Sequence, residues 1–501
     1  MQAEYNVDTA LTAIGVDLER TTLAGAWVPG DGPEHLATDP ATALPLAQVR
    51  ESTPALVDRV VVAGRTALPA WRWASQEERS RTLERAAAAI VEQVDALAVI
   101  ECVDTGKPLS QAADDVRGAA AYFRFYASAA RHLYGTTIEI DRTRSAVAVH
   151  EPYGVVAHIT PWNAPLSQFA RGVAPSLAVG NVVVLKPPEL APLSSIALAT
   201  VLARVLPPGI VGLVPGSGPV TGAALAAHPG IDHLTFTGSV RTGIEVARAA
   251  AANVVMSNLE LGGKSAALVL VDADLPTAVR YARSALIRNS GQSCSALSRF
   301  LVHRSRYDEF VTGLRESASG LRVDAGINDP DLGPLISAAQ RDRVTTLLGD
   351  AVADGATAHP VGVELPGHLD GYFLEPVVLT DVTPDSPIAG AEIFGPVQTV
   401  LAFDDLDEGI AIANGTDYGL AAAVFTRDLD AAARSSAHLA AGQVHVNGYS
   451  ADVTVPFGGY KHSGHGREKG FAALLGYTQV KAVVTHAGAG APLAADPVAA
   501  R

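Results

Sequence analysis

The chain has 501 residues, of which 48% are hydrophobic and 18% charged, and it carries a formal net charge of −15 at pH 7. This composition excludes disorder for most of the chain, and the acidic balance argues against a nucleic-acid partner, because phosphate backbones repel an acidic surface. The two cysteines are too few for a disulfide framework or a thiolate zinc site, and the 14 histidines are dispersed, so we expect no metal centre.

The elements predicted for the first third of the chain change from strands to helices and back. The sequence does not open on a basic region followed by an apolar stretch, and it has no run of about 18 apolar residues. We therefore predict neither a signal peptide nor a membrane span, and we expect a cytoplasmic protein. Short strands are predicted within 20–50, helices from Pro54 to about Ala130, and a strand pair near 131–150.

From Gly154 onward, short apolar stretches alternate with alanine-rich helices, which predicts parallel α/β sheets with buried strands. The first block has strands within 154–160, 181–187, 209–216, 233–238 and 253–262, and helices over 166–178, 192–205 and 241–252. The second block has strands within 265–271, 299–305, 376–382, 399–405, 421–426 and 443–448, and helices over 275–289, 306–318 and 338–354. The tail at 487–501 is of low complexity, which predicts a mobile segment.

Cys294 stands in the segment NSGQSCSA, where small neighbours leave its sulfur accessible. A thiolate is the strongest side-chain nucleophile near neutral pH when its pKa is lowered. A buried, inert cysteine is the alternative interpretation. For Cys102, which lies in an apolar helical stretch, that alternative is the expected one.

Two polar side chains could assist such a nucleophile. Glu260 lies between two leucines in LELGGK, where desolvation would raise its pKa and make it a usable general base. Asn163, in TPWNAP, offers an amide donor toward a developing oxyanion. The structural alternatives are a helix cap or salt bridge for Glu260 and a turn between two prolines for Asn163.

Three further motifs offer contacts for a nucleotide. Lys186 and Glu189 follow the strand VVVL, where open α/β sheets place ligands, and their spacing suits the hydroxyls of a ribose. Gly238 and Ser239 are expected to place free backbone donors at the start of a helix, which suits a pyrophosphate. Neither the GxGxxG fingerprint nor a P-loop occurs there. Glu392, in EIFGP, offers an acceptor for a second sugar.

Together these motifs resemble the aldehyde dehydrogenase superfamily, in family order and over nearly the whole chain. The resemblance begins near AGAWVPGDGP and runs through DTGKP, PWNAP, KPPE, HPGIDHLTFTGS, LELGGKS, GQSCSA and EIFGP to PFGGYKHSGHGRE at 456–468. It implies an α/β protein with a Rossmann-like NAD-binding domain (1–130 and 151–259) and a catalytic domain (260–448). It also implies a small β oligomerisation element (131–150) with a C-terminal segment (449–501). Exposed strand edges in such an element need pairing, so we expect a homodimer or homotetramer.

The resemblance also implies a role for each motif. Cys294 would be the nucleophile, Glu260 the general base, and Asn163, with the backbone N–H of Cys294, the oxyanion hole. The implied cofactor-binding residues are Ile159, Thr160, Trp162, Lys186, Glu189, Gly238, Ser239, Leu261, Glu392 and Phe394. The implied reaction oxidises a small-molecule aldehyde to a carboxylic acid through a cysteine thiohemiacetal and thioester, with hydride passing to a nicotinamide.

Two details of this function, the fate of the acyl group and the choice of nucleotide, are predicted from single residues. Glu260 can activate water, which favours hydrolysis of the thioester over the alternative of acyl transfer to CoA. Glu189 favours NAD over NADP, because a carboxylate repels a 2′-phosphate. A catalytically silent NAD-binding protein is the alternative from a different class.

The substrate pocket is predicted from one helix face and three loops. Its predicted lining residues are Gln168, Arg171, Ser293, Ser295, Tyr449 and Phe457, with the loop Tyr449–Asp452 as a further candidate. On the helix after Asn163, the family commonly carries aromatic or bulky apolar residues, whereas this chain carries Ala164, Gln168 and Arg171. This departure predicts a polar aldehyde, such as a semialdehyde whose carboxylate pairs with Arg171. The alternative is that Arg171 points away from the pocket into a salt bridge.

Overall fold

The computed structural model describes residues 6–141, 143–450 and 452–486. Within these ranges the α-helices are α1 (Val7–Ile14), α2 (Pro54–Arg72), α3 (Gln76–Glu92), α4 (Val94–Thr105), α5 (Leu109–Ala129), α6 (Pro165–Ala178), α7 (Leu193–Ala203), α8 (Ala223–Ala226), α9 (Val240–Ala251), α10 (Leu275–Ile287), α11 (Tyr307–Ala318), α12 (Ala338–Ala353), α13 (Pro387–Gly390), α14 (Leu406–Asn414), α15 (Leu429–His438) and α16 (Gly470–Gly476). The strands are β1 (Thr22–Leu23), β2 (Trp27–Val28), β3 (Glu34–Thr38), β4 (Pro45–Arg50), β5 (Thr136–Asp141), β6 (Arg144–Pro152), β7 (Val155–Ile159), β8 (Val182–Lys186), β9 (Val211–Leu213), β10 (His233–Thr237), β11 (Met256–Glu260), β12 (Ala266–Val269), β13 (Arg299–His303), β14 (Thr357–Pro360), β15 (Val377–Thr380), β16 (Val397–Phe403), β17 (Tyr418–Gly419), β18 (Ala421–Phe425), β19 (Gln443–Val446), β20 (Tyr460–Lys461), β21 (Gly464–His465) and β22 (Thr478–His486).

The first large sheet has the strand order β2-β1-β9-β8-β7-β10-β11-β21. Its five central strands, from β9 to β11, run parallel, and the edge strands are antiparallel. Every residue of β7 and β8 is buried, which explains why both appear in the sequence as continuous apolar runs. Helix α2 contacts β8 and β9, α6 contacts β7 and β8, and α3, α4 and α5 form a further layer over α6 and α7.

The second large sheet has the order β14-β15-β16-β13-β12-β18-β19 and is parallel except for β14. One hydrophobic cluster covers each of its faces, whereas a third, larger cluster surrounds the first sheet. The α/β architecture with a Rossmann-like part is therefore confirmed.

Two elements near the C-terminus return to the first half of the chain. Strand β22 pairs with β6 over nine residues, from Thr478 opposite Pro152 to His486 opposite Arg144, and completes a three-stranded sheet with β5. Strand β21 pairs with β11, placing Gly464 opposite Glu260. The predicted tail at 487–501 lies outside the described residues, and the domain boundaries remain predictions.

The predicted strands and helices agree with the observed ones in type, with differences at their ends. Helix α10 stops at Ile287, two residues before its predicted end. Helices α14, α15 and α16 and strand β22 were not predicted; β22 is largely exposed and alternates poorly between polar and apolar residues. Among the described residues, no helix combines the length and apolarity needed to cross a bilayer.

Candidate active site

Cys294 lies in a loop that turns away from the end of α10. The turn begins where Asn289 and Ser290 adopt left-handed backbone conformations, with φ of 46° and 52°. Gly291 continues it with φ of 73°, and a Cβ at this position would clash with the carbonyl of Gly395. This turn places the Cys294 thiol where it lines two cavities, each of about 250 Å³. Burial raises the pKa of the Cys294 thiol to about 11, which the guanidinium of Arg171 partly opposes.

Asn163 lines the same two cavities beside Cys294. Its amide Nδ2 donates to the carbonyl of Gln292 at 3.1 Å, which leaves its second N–H for another acceptor. Its backbone carbonyl accepts from Lys107 Nζ at 3.1 Å and from Asn289 Nδ2 at 2.9 Å. Within the described residues, the backbone N–H of Cys294 has no acceptor. Two donors are thus available near the thiol.

Glu260 ends strand β11 and is buried, with 2% of its surface exposed. Neither carboxylate oxygen accepts a hydrogen bond from any described residue, and Arg171 Nη2 lies 3.9 Å from Oε2. Burial, followed by the nearby Glu468, holds the pKa of Glu260 well above its usual range. Glu260 lines one of the two cavities that Cys294 lines, so the structure brings this carboxyl and the thiol to one space.

The ends of β7 and β8 carry the first predicted nucleotide contacts. Ile159 and Lys186 are register partners, and both the N–H and the hydroxyl of Thr160 donate to the Lys186 carbonyl. Burial lowers the pKa of the Lys186 ammonium to about 8, against the opposing effect of Glu189. The Glu189 carboxylate accepts from Gly218 N at 2.6 Å, which fixes its orientation.

Gly238 and Ser239 open helix α9, but only one of the two expected donors is free. The N–H of Gly238 donates to the carbonyl of Glu260 at 3.0 Å, because the pairing of β10 with β11 continues one residue past the strand end. The prediction of a free donor at Gly238 was therefore wrong. Ser239 is the N-cap and accepts from Thr242 N through its hydroxyl, and among the described residues the N–H groups of Ser239 and Val240 have no acceptor.

Glu392, Trp162 and Phe394 line the cavity that Gly238 and Ser239 also line. Glu392 accepts from Gly263 N at 2.9 Å, and burial raises the pKa of its carboxyl. The rings of Trp162 and Phe394 meet edge to face with centroids 5.2 Å apart. These residues and Leu261 line one cavity with Gly238, Ser239 and Glu260, which we call the cleft cavity.

The second space is called the polar cavity, because most of its lining side chains are polar or charged. All six residues predicted for the substrate pocket line it together with Cys294: Gln168, Arg171, Ser293, Ser295, Tyr449 and Phe457. Tyr449 donates its hydroxyl to the Ser295 carbonyl at 2.7 Å. Ser450, from the predicted loop Tyr449–Asp452, also lines the cavity, whereas Ala451 lies outside the described residues.

Arg171 forms an ion pair inside the protein. Its Nε is paired with Glu468, and its guanidinium carbon lies 4.2 Å from the centroid of the Phe457 ring. The salt bridge of the alternative interpretation is therefore observed, but Arg171 lines the polar cavity with Cys294, so the expectation that it points away from the pocket was wrong. A substrate carboxylate would have to compete with Glu468 for it.

Three charged residues at the site were not identified from the sequence. Glu468 is the final residue of the last family motif and Lys469 follows it, and both are buried against Arg171 and Phe457. Lys107 is buried beneath Asn163. Lys107 and Glu468 lie inside motifs that carry the resemblance, but neither motif indicated a role for them, and the rarity of lysine, six residues against 31 arginines, does not single out a position.

A Rossmann-like sheet whose cleft meets a second, cysteine-lined cavity defines a nucleotide-binding α/β enzyme. The family model described as "Aldehyde dehydrogenase family" matches residues 27–483. An aldehyde dehydrogenase of Aspergillus niger is 40% identical over 484 residues, which cover 95% of this chain and 97% of that protein. Retinal dehydrogenase 2 of Homo sapiens is 41% identical over 454 residues, covering 89% and 87%. A solved NAD+ complex of an aldehyde dehydrogenase from Bacillus cereus has a TM-score of 0.91 at 38% identity, covering 94% of this chain and 97% of that one.

The chain therefore belongs to the aldehyde dehydrogenase family, and the resemblance drawn from its motifs is confirmed. It is an oxidoreductase that acts on aldehydes, with a cofactor of the NAD type.

Proposed function

We propose that the protein oxidises an aldehyde to a carboxylic acid with NAD+, and that Cys294 is the nucleophile. The observation that carries this proposal is the position of Cys294 and Asn163 on the walls of both cavities. A thiol at this junction can reach an aldehyde in the polar cavity and present the adduct to a nucleotide in the cleft cavity.

The residues of the cleft suit a dinucleotide. At the end of β8, outside the residues that line the cleft cavity, Lys186 and Glu189 supply a donor and an acceptor for one ribose. The half-buried carboxylate of Glu392, which does line that cavity, supplies an acceptor for a second. The N–H groups of Ser239 and Val240 supply donors for a pyrophosphate at the start of α9. When bound, NAD+ supplies the hydride acceptor that aldehyde oxidation requires.

The proposed chemistry proceeds through two covalent adducts of Cys294. The thiolate adds to the aldehyde carbon, and the resulting oxyanion accepts hydrogen bonds from Asn163 Nδ2 and the backbone N–H of Cys294. Each such donor contributes a factor of about 10²–10³ in rate. Loss of hydride converts the thiohemiacetal into a thioester. Glu260 then removes a proton from water, which attacks the thioester and releases the acid.

One assay tests this sequence of steps. NADH formation is followed over a panel of aldehydes for the wild type, Cys294→Ala and Glu260→Gln. We expect no NADH from Cys294→Ala, and from Glu260→Gln a burst of about one equivalent followed by slow turnover, because acylation precedes the step that needs the base. Because burial raises the pKa of Glu260, we expect the wild-type hydrolysis rate to increase with pH and Glu260→Gln to lose this dependence. Normal turnover by Cys294→Ala would refute the proposal.

The fate of the acyl group and the choice of nucleotide are tested separately. We propose hydrolysis rather than transfer to CoA, so acid should accumulate even when CoA is present; acyl-CoA as the main product would overturn this. We also propose NAD over NADP, because the Glu189 carboxylate, held by Gly218 N, would repel a 2′-phosphate. Glu189→Ser should narrow the difference in kcat/KM between the nucleotides, and an unchanged ratio would remove the argument.

We further propose a homodimer or homotetramer that works in the cytoplasm. The sheet formed by β5, β6 and β22 exposes apolar side chains, including Ile138, Val147 and Val480, which a second copy could cover. Both cysteines are free thiols, as a reducing compartment maintains and a thiolate nucleophile requires. Sedimentation of the protein at several concentrations tests the assembly, and a monomer throughout would contradict it.

A further inference from the structure

We propose that the polar cavity selects aldehydes that carry a carboxylate at the far end, and that the Lys469 ammonium binds this carboxylate. The inference rests on the proposed function, because it assigns a substrate class to the same site. The reaction would then convert an oxo acid, NAD+ and water into a dicarboxylate, NADH and protons, with the aldehyde carbon oxidised and the nicotinamide reduced.

The lining of the polar cavity favours a polar substrate. Beside the cysteine it carries the amides of Gln111, Gln168 and Gln443 and the hydroxyls of Ser293 and Ser450. A purely hydrocarbon substrate would strip these groups of water without offering hydrogen bonds in return, which is unfavourable. A substrate with a polar end can satisfy these groups, which a long aliphatic or unsubstituted aromatic aldehyde cannot do.

Two of the buried cations that line this cavity already have carboxylate partners. Lys107 Nζ lies 2.7 Å from Glu101 Oε1 and 2.6 Å from Asp115 Oδ2. Arg171 is paired with Glu468. Neither cation needs a substrate to balance its charge.

Lys469 differs from both, although only 7% of its surface is exposed. Among the described residues, no carboxylate lies within 4 Å of its Nζ and no acceptor receives a hydrogen bond from it; the Nζ lies 5.0 Å from the centroid of the Phe457 ring. Glu468 is taken by Arg171, and the exposed Asp452 accepts from the N–H and hydroxyl of Thr454. A buried ammonium without a partner that faces a cavity is a binding group for an anion.

The charged groups around Lys469 provide no direct partner for its ammonium among the described residues. Arg171 and Glu468 neutralise each other, and the burial that raises the pKa of Glu260 favours its uncharged form. Burial lowers the pKa of Lys469 only to about 8, so the ammonium form still predominates at neutral pH. While Cys294 is a neutral thiol, the form that its raised pKa favours, Lys469 has no direct counter-ion among the described residues, and an anion that enters the cavity would supply one.

The backbone conformation of Lys469 is unusual for a residue that carries a side chain. Its φ of 58° and ψ of 170° lie in a region that glycine adopts readily and other residues rarely do. A glycine at 469 would relieve the strain, but it would remove the ammonium from the cavity.

The test compares matched substrates in matched variants. Semialdehydes of three to five carbons and the unsubstituted aldehydes of equal length are assayed with the wild type, Lys469→Met, Lys469→Arg and Lys481→Met. Lys481 is exposed on β22 and pairs with Glu151, so its variant controls for the loss of a lysine charge. We expect the wild type to prefer a semialdehyde, and Lys469→Met to lower the ratio of kcat/KM for semialdehyde over aldehyde by about 10- to 100-fold, as for a lost hydrogen bond to a charged group. Lys469→Arg should keep part of the preference, and Lys481→Met all of it.

Two results would overturn the inference. One is a wild type with no preference for the charged substrate. The other is an equal loss on both substrates in Lys469→Met, together with slower alkylation of Cys294 by uncharged iodoacetamide, which would assign Lys469 to the thiolate instead. Calorimetry with the dicarboxylate succinate separates this inference from the proposed function. If succinate binds and its binding depends on Lys469, but the protein oxidises no aldehyde, the anion site is supported and the proposed oxidation is refuted.

Discussion

Replacing Gly263 by alanine tests whether close packing holds the backbone of the nucleophile in place. A Cβ at position 263 would clash with the carbonyl oxygen of Cys294 and would also lie 3.2 Å from the Cβ of Leu420. The contact with the carbonyl would be shorter than an ordinary van der Waals contact by about 1 Å, and the contact with Leu420 would also be tight. We expect the Cys294 loop to move, because the contacting atom is its backbone carbonyl.

The expected size of the effect follows from this displacement. Overpacking of a tight interior costs about 1–3 kcal/mol of unfolding free energy. A shift of about 1 Å in a reacting group costs about 100-fold in rate. We therefore expect Gly263→Ala to fold with a lowered midpoint of thermal unfolding and to lose about two orders of magnitude in kcat/KM.

The assay combines steady-state NADH formation, thermal unfolding and alkylation of Cys294 by iodoacetamide. Gly349→Ala is the matched control, because this glycine lies on the exposed face of α12, where a Cβ would meet no other atom within 4 Å. It should keep full activity and gain about 0.5–1 kcal/mol, since alanine is favoured over glycine inside a helix. Wild-type kcat/KM in Gly263→Ala would refute the claim that this contact positions the nucleophile.

Three further predictions concern single polar groups. Asn163→Ala should lower kcat/KM by about 10²–10³ with an unchanged circular dichroism spectrum, and a loss below tenfold would contradict its place in the oxyanion hole. Lys264→Met should raise the midpoint of thermal unfolding at neutral pH: burial lowers the pKa of Lys264 from 10.5 to about 7, so the folded state binds fewer protons than the unfolded state between these values. This increase in the unfolding midpoint should become smaller as the pH rises toward about 10. An increase that does not depend on pH would argue against a buried charge at Lys264. Iodoacetamide should modify one thiol of the folded protein, because burial raises the pKa of Cys102; mass spectrometry that finds Cys102 alkylated in native Cys294→Ala would disprove this.

The sequence by itself determined the order and type of most elements and the identity of the family. Strands such as β7 and β8 are buried on both faces, so their apolar runs are visible without any knowledge of the fold. The motifs around Cys294 and Glu260 could be recognised for a similar reason. Each places a reactive or polar group among glycines and small residues, and the structure shows these glycines in close contacts that a side chain would block.

Only the tertiary structure decided how the charges are distributed within the site. The pairing of Arg171 with Glu468 joins positions almost 300 residues apart, and it exists because β21 attaches the C-terminal segment to β11 beside Glu260. The unpartnered ammonium of Lys469 follows from the same arrangement, since its neighbours in space already have partners. Electrostatic pairing depends on distances of a few ångströms between side chains from distant segments, and no local pattern of residues encodes those distances.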